Sequence, residues 1–199
     1  CFIKENDILE LINSHQNYKN CFITSPTFYD EKSQLTFNAG CFDEKNYPRE
    51  TLKLEGDICV DKVLGSAILF KRKDIIELGL LDENFFMYYE DDDLCRKIKQ
   101  KKMSVIQVFN SNAQHLHGQS KVKNILKRTF IRNYHFTYDE LYYYYKINKH
   151  YTKYQNLKKK LLNYVIKLIV NLFIFRFNKS IYYFALIKAF YDFNKLIKK

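Results

Sequence analysis

Apolar and polar positions along this chain follow two periods and switch between them several times. Ile8, Leu11 and Ile12 share one helical face behind Asp7, a good N-cap residue, which predicts a helix over Ile8–Ser14. Cys21-Phe22-Ile23-Thr24-Ser25 is a short apolar run closed by Pro26 and predicts a strand, and Leu35–Ala39 predicts another. Asp43–Gly56 is polar, contains Pro48 and has no period, so it reads as a loop. Ile58–Val63 predicts a strand that runs into Leu64-Gly65-Ser66-Ala67-Ile68-Leu69-Phe70. Asp74 caps a short helix, Ile75–Leu78, with Gly79 as its stop. From Asp91 or Asp92 to Lys102, Leu94 and Ile98 stand at i,i+4 and lysines gather at the end, as a helix dipole favours. Ser104–Phe109 predicts a strand, and Asn110–Asn112 a turn.

Past residue 120 the pattern changes. Lys121–Lys149 interleaves basic and aromatic residues, and two further helical patterns cover about Tyr154–Phe177 and Ser180–Lys198. Strands alternating with helices in the first part predict an α/β fold followed by C-terminal helices. We therefore read residues 1–120 as a catalytic or binding part and 121–199 as a basic helical region. The longest uncharged run of the last part is Leu168–Phe175, between Lys167 and Arg176, short of the roughly 20 residues of a membrane span. These helices suit either a membrane interface or packing on the domain or a second subunit.

Charge sharpens that division. The net charge is +11, and residues 121–199 hold 18 of the 33 Lys/Arg but only three of the 22 Asp/Glu, a local balance of +15 against −4 for residues 1–120. An anionic surface, membrane or nucleic acid, is the partner such a tail suggests. No RNP-type or other nucleic-acid motif is present, so nucleic acid is not expected. Cys1, Cys21, Cys41, Cys59 and Cys95 are widely spaced, odd in number and form no C-x-x-C pair. They read as free thiols of a reducing cytosol, not as a disulfide framework or zinc site. The first residue is Cys1 and no signal peptide precedes it, which suggests a piece of a longer chain.

The chemistry concentrates between Leu81 and Cys95, in Leu-Asp-Glu-Asn-Phe-Phe-Met-Tyr-Tyr-Glu-Asp-Asp-Asp-Leu-Cys. Four consecutive acids crowd like charges, which pushes at least one pKa up and suits a general base. The plainer reading is a solvated first helical turn, and periodicity does not choose among the four. Phe85, Phe86, Tyr88 and Tyr89 suit a sugar-stacking wall, though core packing is the commoner role. Gly65 at a strand mouth allows close approach of backbone and ligand, or marks a bulge. His115 and His117 lie on one side of a strand, placed for metal ligation or for ordinary packing.

In their order, Gly65-Ser66-Ala67-Ile68-Leu69-Phe70-Lys71-Arg72, the acidic motif and His115-Leu116-His117-Gly118-Gln119-Ser120 resemble the acceptor-side half of a family 2, GT-A-type glycosyltransferase. The nearest group is the rhamnosyltransferase-like enzymes of bacterial surface polysaccharides, and the resemblance runs from about Asp7 to Lys146. It implies an incomplete GT-A fold, a Rossmann-like nucleotide-diphospho-sugar transferase, whose donor-binding part lies upstream of Cys1. It implies an inverting transfer from a nucleotide sugar to a saccharide or lipid-linked acceptor in O-antigen or capsule synthesis. Asp91 matches the aspartate of the family's Glu-Asp pair and would be the base. Glu90 would contact the acceptor or orient Asp91. Gly65, Ser66 and Asp93 would border the acceptor. A divalent metal, Mg²⁺ or Mn²⁺, would take His115 as one ligand and upstream aspartates as others. The implied location is cytoplasmic, on the inner face of the cytoplasmic membrane, and this piece alone would be inactive. Where the family carries an arginine four residues after the last acid, this chain has Lys97.

Two other classes fit parts of the chain. A non-catalytic membrane- or nucleic-acid-binding module would use the basic C-terminal third. A metal-dependent hydrolase would use the acids and the histidine pair, although the motif order matches no hydrolase pattern.

Overall fold

The computed structural model describes residues 1–35, 40, 55–116, 122–147 and 157–198. The fold is mixed α/β, and it divides into two compact units: Cys1–Asp82 with Glu90–Gln119, and Glu83–Tyr89 with Ser120–Lys199. The division cuts the central motif. Its aromatic half belongs to the helical unit and its acidic half to the sheet unit.

The sheet unit contains β1 (Phe2–Ile3), α1 (Glu5–Asn17), β2 (Cys21–Tyr29), β3 (Ile58–Val60), α2 (Arg72–Glu77), α3 (Glu90–Gln100) and β4 (Ser104–Gln114). β4 is the hub of a four-stranded mixed sheet. It pairs parallel with β2 along most of its length and antiparallel with β1 and β3. Beyond β2, Leu69 adds an antiparallel bridge to Thr24 through paired backbone bonds of 2.9 and 3.0 Å. Eight of the nine residues of β2 are buried, as expected for a parallel strand covered on both faces. Its buried hydroxyls are satisfied: Thr24 Oγ1 donates to the Leu11 carbonyl at 3.0 Å and Ser25 Oγ to the Ala67 carbonyl at 3.1 Å. The core joins Phe22, Ile23 and Val105 of the sheet to Leu94, Cys95 and Ile98 of α3 and Ile75 of α2.

Four local expectations change. Pro26 does not end β2. It sits where the register jumps, so that Pro26 opposes Val108 while Thr27 opposes Asn112. A residue without an N–H is tolerated in a strand at such an irregularity. Phe109–Ser111 accordingly form a bulge inside β4, and no turn follows the strand at Asn110–Asn112. Asp7 is not the N-cap of α1, which is Lys4. Asp7 instead holds the bulge: its carboxylate accepts the Asn112 N–H at 2.7 Å, and its carbonyl accepts the Ser111 hydroxyl at 2.9 Å. Asp57 does the same at the start of the bulge, accepting the Phe109 N–H at 2.8 Å. Asp74, expected to cap α2, lies within its first turn behind Lys71. Gly79 follows that helix at φ +91°, a left-handed conformation that glycine adopts without steric cost. Leu35 bridges Tyr29, while residues 36–39 of the second expected strand and most of the 43–56 loop lie outside the described residues.

The helical unit holds α4 (Ile125–Ile147), α5 (Leu157–Phe173) and α6 (Phe177–Ile197). Asn124 caps α4, its Oδ1 accepting the N–H groups of Leu126 and Lys127 at 3.0 Å. Leu141, Phe190 and Phe193 form its core, enclosed by Tyr138, Tyr142, Tyr145 and Tyr164. Tyr134 donates to Asp192 at 2.8 Å, and burial together with that carboxylate pushes the phenol pKa up. No helix among the described residues is long and apolar enough to cross a membrane.

Candidate functional site

A parallel pair of strands directs its carboxyl ends to one edge, where loops collect and ligands of open α/β sheets bind. β2 and β4 end there together, at Tyr29 and Gln114. His115 is the next residue, and its N–H is held by the Tyr29 carbonyl at 2.8 Å. Its ring packs edge-on against the buried Phe28, with centroids 6.3 Å apart. Ser66 reaches the same ring, Oγ to Nε2 at 3.5 Å. A depression of about 610 Å³ lies on the β1 side of these strand ends, between Phe2, Lys4 and Asp7 and Tyr29, Asp30 and Gln114; Gly65, Ser66, Asp91 and His115 are not in its lining.

Asp91 is joined to this edge through Gly65. Its Oδ2 accepts the Gly65 N–H at 2.8 Å, and its Oδ1 accepts the N–H of Asp92 at 2.9 Å. The approach leaves little room for a side chain: a Cβ on Gly65 would lie 3.2 Å from the Asp91 Cβ and 3.4 Å from Oδ2. The loop that carries Gly65 and Ser66 is pinned by Ala67 on Ser25 and by Leu69 on Thr24, both in β2. Positions 65–66, 91 and 115, from three separate segments, therefore share one neighbourhood.

The other acids are distributed to separate partners. Asp92 faces Lys62 at 3.7 Å, and Asp93 faces Lys97 at 3.6 Å. Residues at i,i+2 of a helix do not share a face, so Asp93 cannot follow Asp91. It is buried, only 3 % exposed, and the structure does not bring it to Gly65 and Ser66. Lys97 also donates to the Leu80 carbonyl at 3.0 Å, fastening the start of the motif to α3. Glu90 opens α3, half-buried, with its Oε2 shielded from solvent. The crowding anticipated from four adjacent acids is thus relieved by opposite charges and backbone donors around the helix start.

The aromatic half of the motif packs within the helical unit. Phe85 meets Tyr142 edge-to-face at 4.9 Å, Phe86 stacks on His135 at 4.2 Å, and Tyr88 meets Phe136 at 5.3 Å. Tyr89 lies 5.3 Å from Tyr143 and takes a left-handed backbone, φ +67°, immediately before the acids. A group missed in the sequence organises this cluster. Asp139 of α4 is fully buried, and its Oδ2 accepts the N–H groups of Met87 and Tyr88 at 3.2 and 3.1 Å. Burial raises its pKa, against the pull of those N–H donors. The available signal was compositional, since Asp139 is one of only three acids after residue 120.

Among the described residues no three His, Cys, Asp or Glu side chains converge on one point. His115 is a single candidate ligand, and His117 lies outside the described residues. Of the described cysteines, Cys1, Cys21, Cys59 and Cys95 are free thiols. Burial pushes the Cys95 thiol pKa up to about 12 and that of Cys21 to about 11, which leaves both unreactive. No protein-family profile and no curated protein matches this chain.

Proposed function

We propose that this chain is the acceptor-side part of an inverting, GT-A-type glycosyltransferase, related to the rhamnosyltransferase-like enzymes of bacterial surface polysaccharide synthesis. One observation supports it most: the Asp91 carboxylate, the Gly65 N–H, Ser66 and His115 gather at the carboxyl edge of the parallel β2–β4 pair. These residues lie on the segments, and in the order, that carry the family resemblance.

In this reading Asp91 is the base. Each carboxylate oxygen has a lone-pair direction left beyond the one accepting Gly65 or Asp92, so Asp91 accepts a proton while it stays anchored. The acceptor hydroxyl gives that proton to Asp91 as its oxygen attacks the anomeric carbon of the nucleotide sugar. The bond to the diphosphate breaks on the opposite face, and the diphosphate leaves with the electron pair. Glu90 contacts the acceptor or orients Asp91, and Gly65 and Ser66 border the acceptor. Asp93 acts more remotely, setting the helix start. Mg²⁺ or Mn²⁺ when bound would neutralise the diphosphate. Of the described residues only His115 is offered as its ligand, and these residues do not complete its coordination.

The test is Asp91→Asn in the intact protein, assayed by nucleoside diphosphate release from a panel of nucleotide sugars with saccharide and lipid-linked acceptors. Loss of a general base lowers transfer by about 10²–10⁴. Transfer that survives within about tenfold of wild type excludes Asp91 as the base.

A further inference from the structure

α5 and the turn that joins it to α6 carry an exposed apolar stripe, and every charged residue of that stretch is a cation. Leu162, Ile166, Ile169, Val170 and Phe173 recur at helical spacing, and each is between 46 and 78 % exposed. The turn continues the stripe with Ile174, Phe175 and Phe177, exposed by 50, 77 and 55 %. Phe175 holds a left-handed backbone, φ +53°, where glycine would be unstrained, and its ring faces solvent except for an edge contact with Phe177.

The charges that α5 and the turn themselves carry are all positive, and the nearest acid in sequence, Asp192, pairs with Lys188. Residues 157–191 contain seven lysines and arginines and no acid. Lys167, Arg176 and Lys179 are exposed beside it. A protein partner with an ordinary mixed surface does not match one sign of charge over such a length, whereas an anionic bilayer does, with phosphates at headgroup level and chains below. Lys167 interrupts α5 and its 17 residues rise only about 26 Å, so the helix lies in the interface plane and does not span.

We propose that α5 and the α5–α6 turn form a membrane-docking surface. The stripe enters the acyl boundary of an anionic leaflet with Phe173 and Phe175 leading, and Lys167, Arg176 and Lys179 meet the phosphates. This surface stands on its own whether or not the transferase assignment holds, and its test reads lipid binding without any sugar transfer.

The chain has no Trp, so Phe175→Trp introduces a single tryptophan at an exposed site, read by excitation at the red edge where the tyrosines do not absorb. Mixed with vesicles of phosphatidylcholine containing about 30 mol % phosphatidylglycerol, its emission should shift to the blue and be quenched by brominated acyl chains. Phe2→Trp, 65 % exposed on the sheet unit, should do neither. In sedimentation with the same vesicles, the F173S/F175S and R176E/K179E variants should each lose at least about tenfold in partitioning with unchanged circular dichroism, and salt should weaken wild-type binding. Three results would overturn the proposal. One is no blue shift at Phe175→Trp. Another is vesicle binding indifferent to both double variants. The third is a dimer, or an oligonucleotide complex, that F173S/F175S dissolves while vesicle binding persists.

Discussion

Asp139 offers the sharpest test of how the motif loop is held. It is fully buried, and Oδ2 receives the N–H groups of Met87 and Tyr88 from a loop more than fifty residues away in sequence. Asp139→Ala removes both bonds and strands two partly buried donors. Hydrogen bonds to a charged group contribute about 1.5–3 kcal/mol each and a stranded donor costs about 1–3, but loss of a buried charge gives part of this back, leaving about 2–4 kcal/mol of destabilisation. For a chain of this size that is roughly 5–15 °C in the melting temperature. Asp139→Asn keeps an acceptor oxygen and removes the charge, so it should stay within about 1 kcal/mol of wild type near pH 7. The pH dependence gives the sign. Burial raises the Asp139 pKa above 3.8, so the native state holds the proton more tightly than the unfolded state. Its contribution to stability is full below 3.8 and is lost as pH rises through the raised value. Asp139→Asn removes this dependence and should therefore gain on wild type as pH rises through that window. Thermal melts followed by far-ultraviolet circular dichroism, from pH 3.5 to 7.5, measure both effects. An Ala variant as stable as the Asn variant would refute the role of the two N–H bonds. A wild-type-to-Asn difference independent of pH would refute the buried ionisation.

Two further outcomes follow from the sheet unit. Gly65→Ala should shift Asp91 by a few tenths of an ångström, because its Cβ would stand 3.2 Å from that of Asp91. Misplacement of a reacting group by up to 1 Å costs as much as about 10²-fold, so transfer by the intact protein should fall at least several-fold, and unchanged transfer would separate Gly65 from the site. Cys95, buried with its thiol pKa raised to about 12, should resist iodoacetamide at pH 8 until denaturant is added, while the exposed Cys1 and Cys59 are alkylated. Peptide mass spectrometry reads each site, and prompt native labelling of Cys95 would contradict the packing of α3.

Much of the local architecture was legible before any fold was known, because period and composition report one element at a time. Leu94 and Ile98 mark the buried face of α3, the acids mark its start, and the loss of acids after residue 120 marks the basic helical unit. The candidate site was legible in part. Gly65, Asp91 and His115 stand out by residue type and order, and that Gly65 and Asp91 touch is a fact of packing.

What only the tertiary structure decided depends on pairs of positions far apart in sequence. Pro26 stays inside β2 because β4 bulges opposite it. Asp7 and Asp57 serve that bulge, not the helix or loop in which each is found. The aromatic residues before the acids pack on α4, and Asp139 holds their backbone, although the acids one residue later belong to the sheet. Asp93, alike in type to Asp91, is turned away by the 3.6-residue period and buried beside Lys97. Hydrophobic period specifies which face of an element is covered, but the partner of a polar group is chosen by which backbone donors remain unsatisfied once the elements have packed, and that choice is made only in three dimensions.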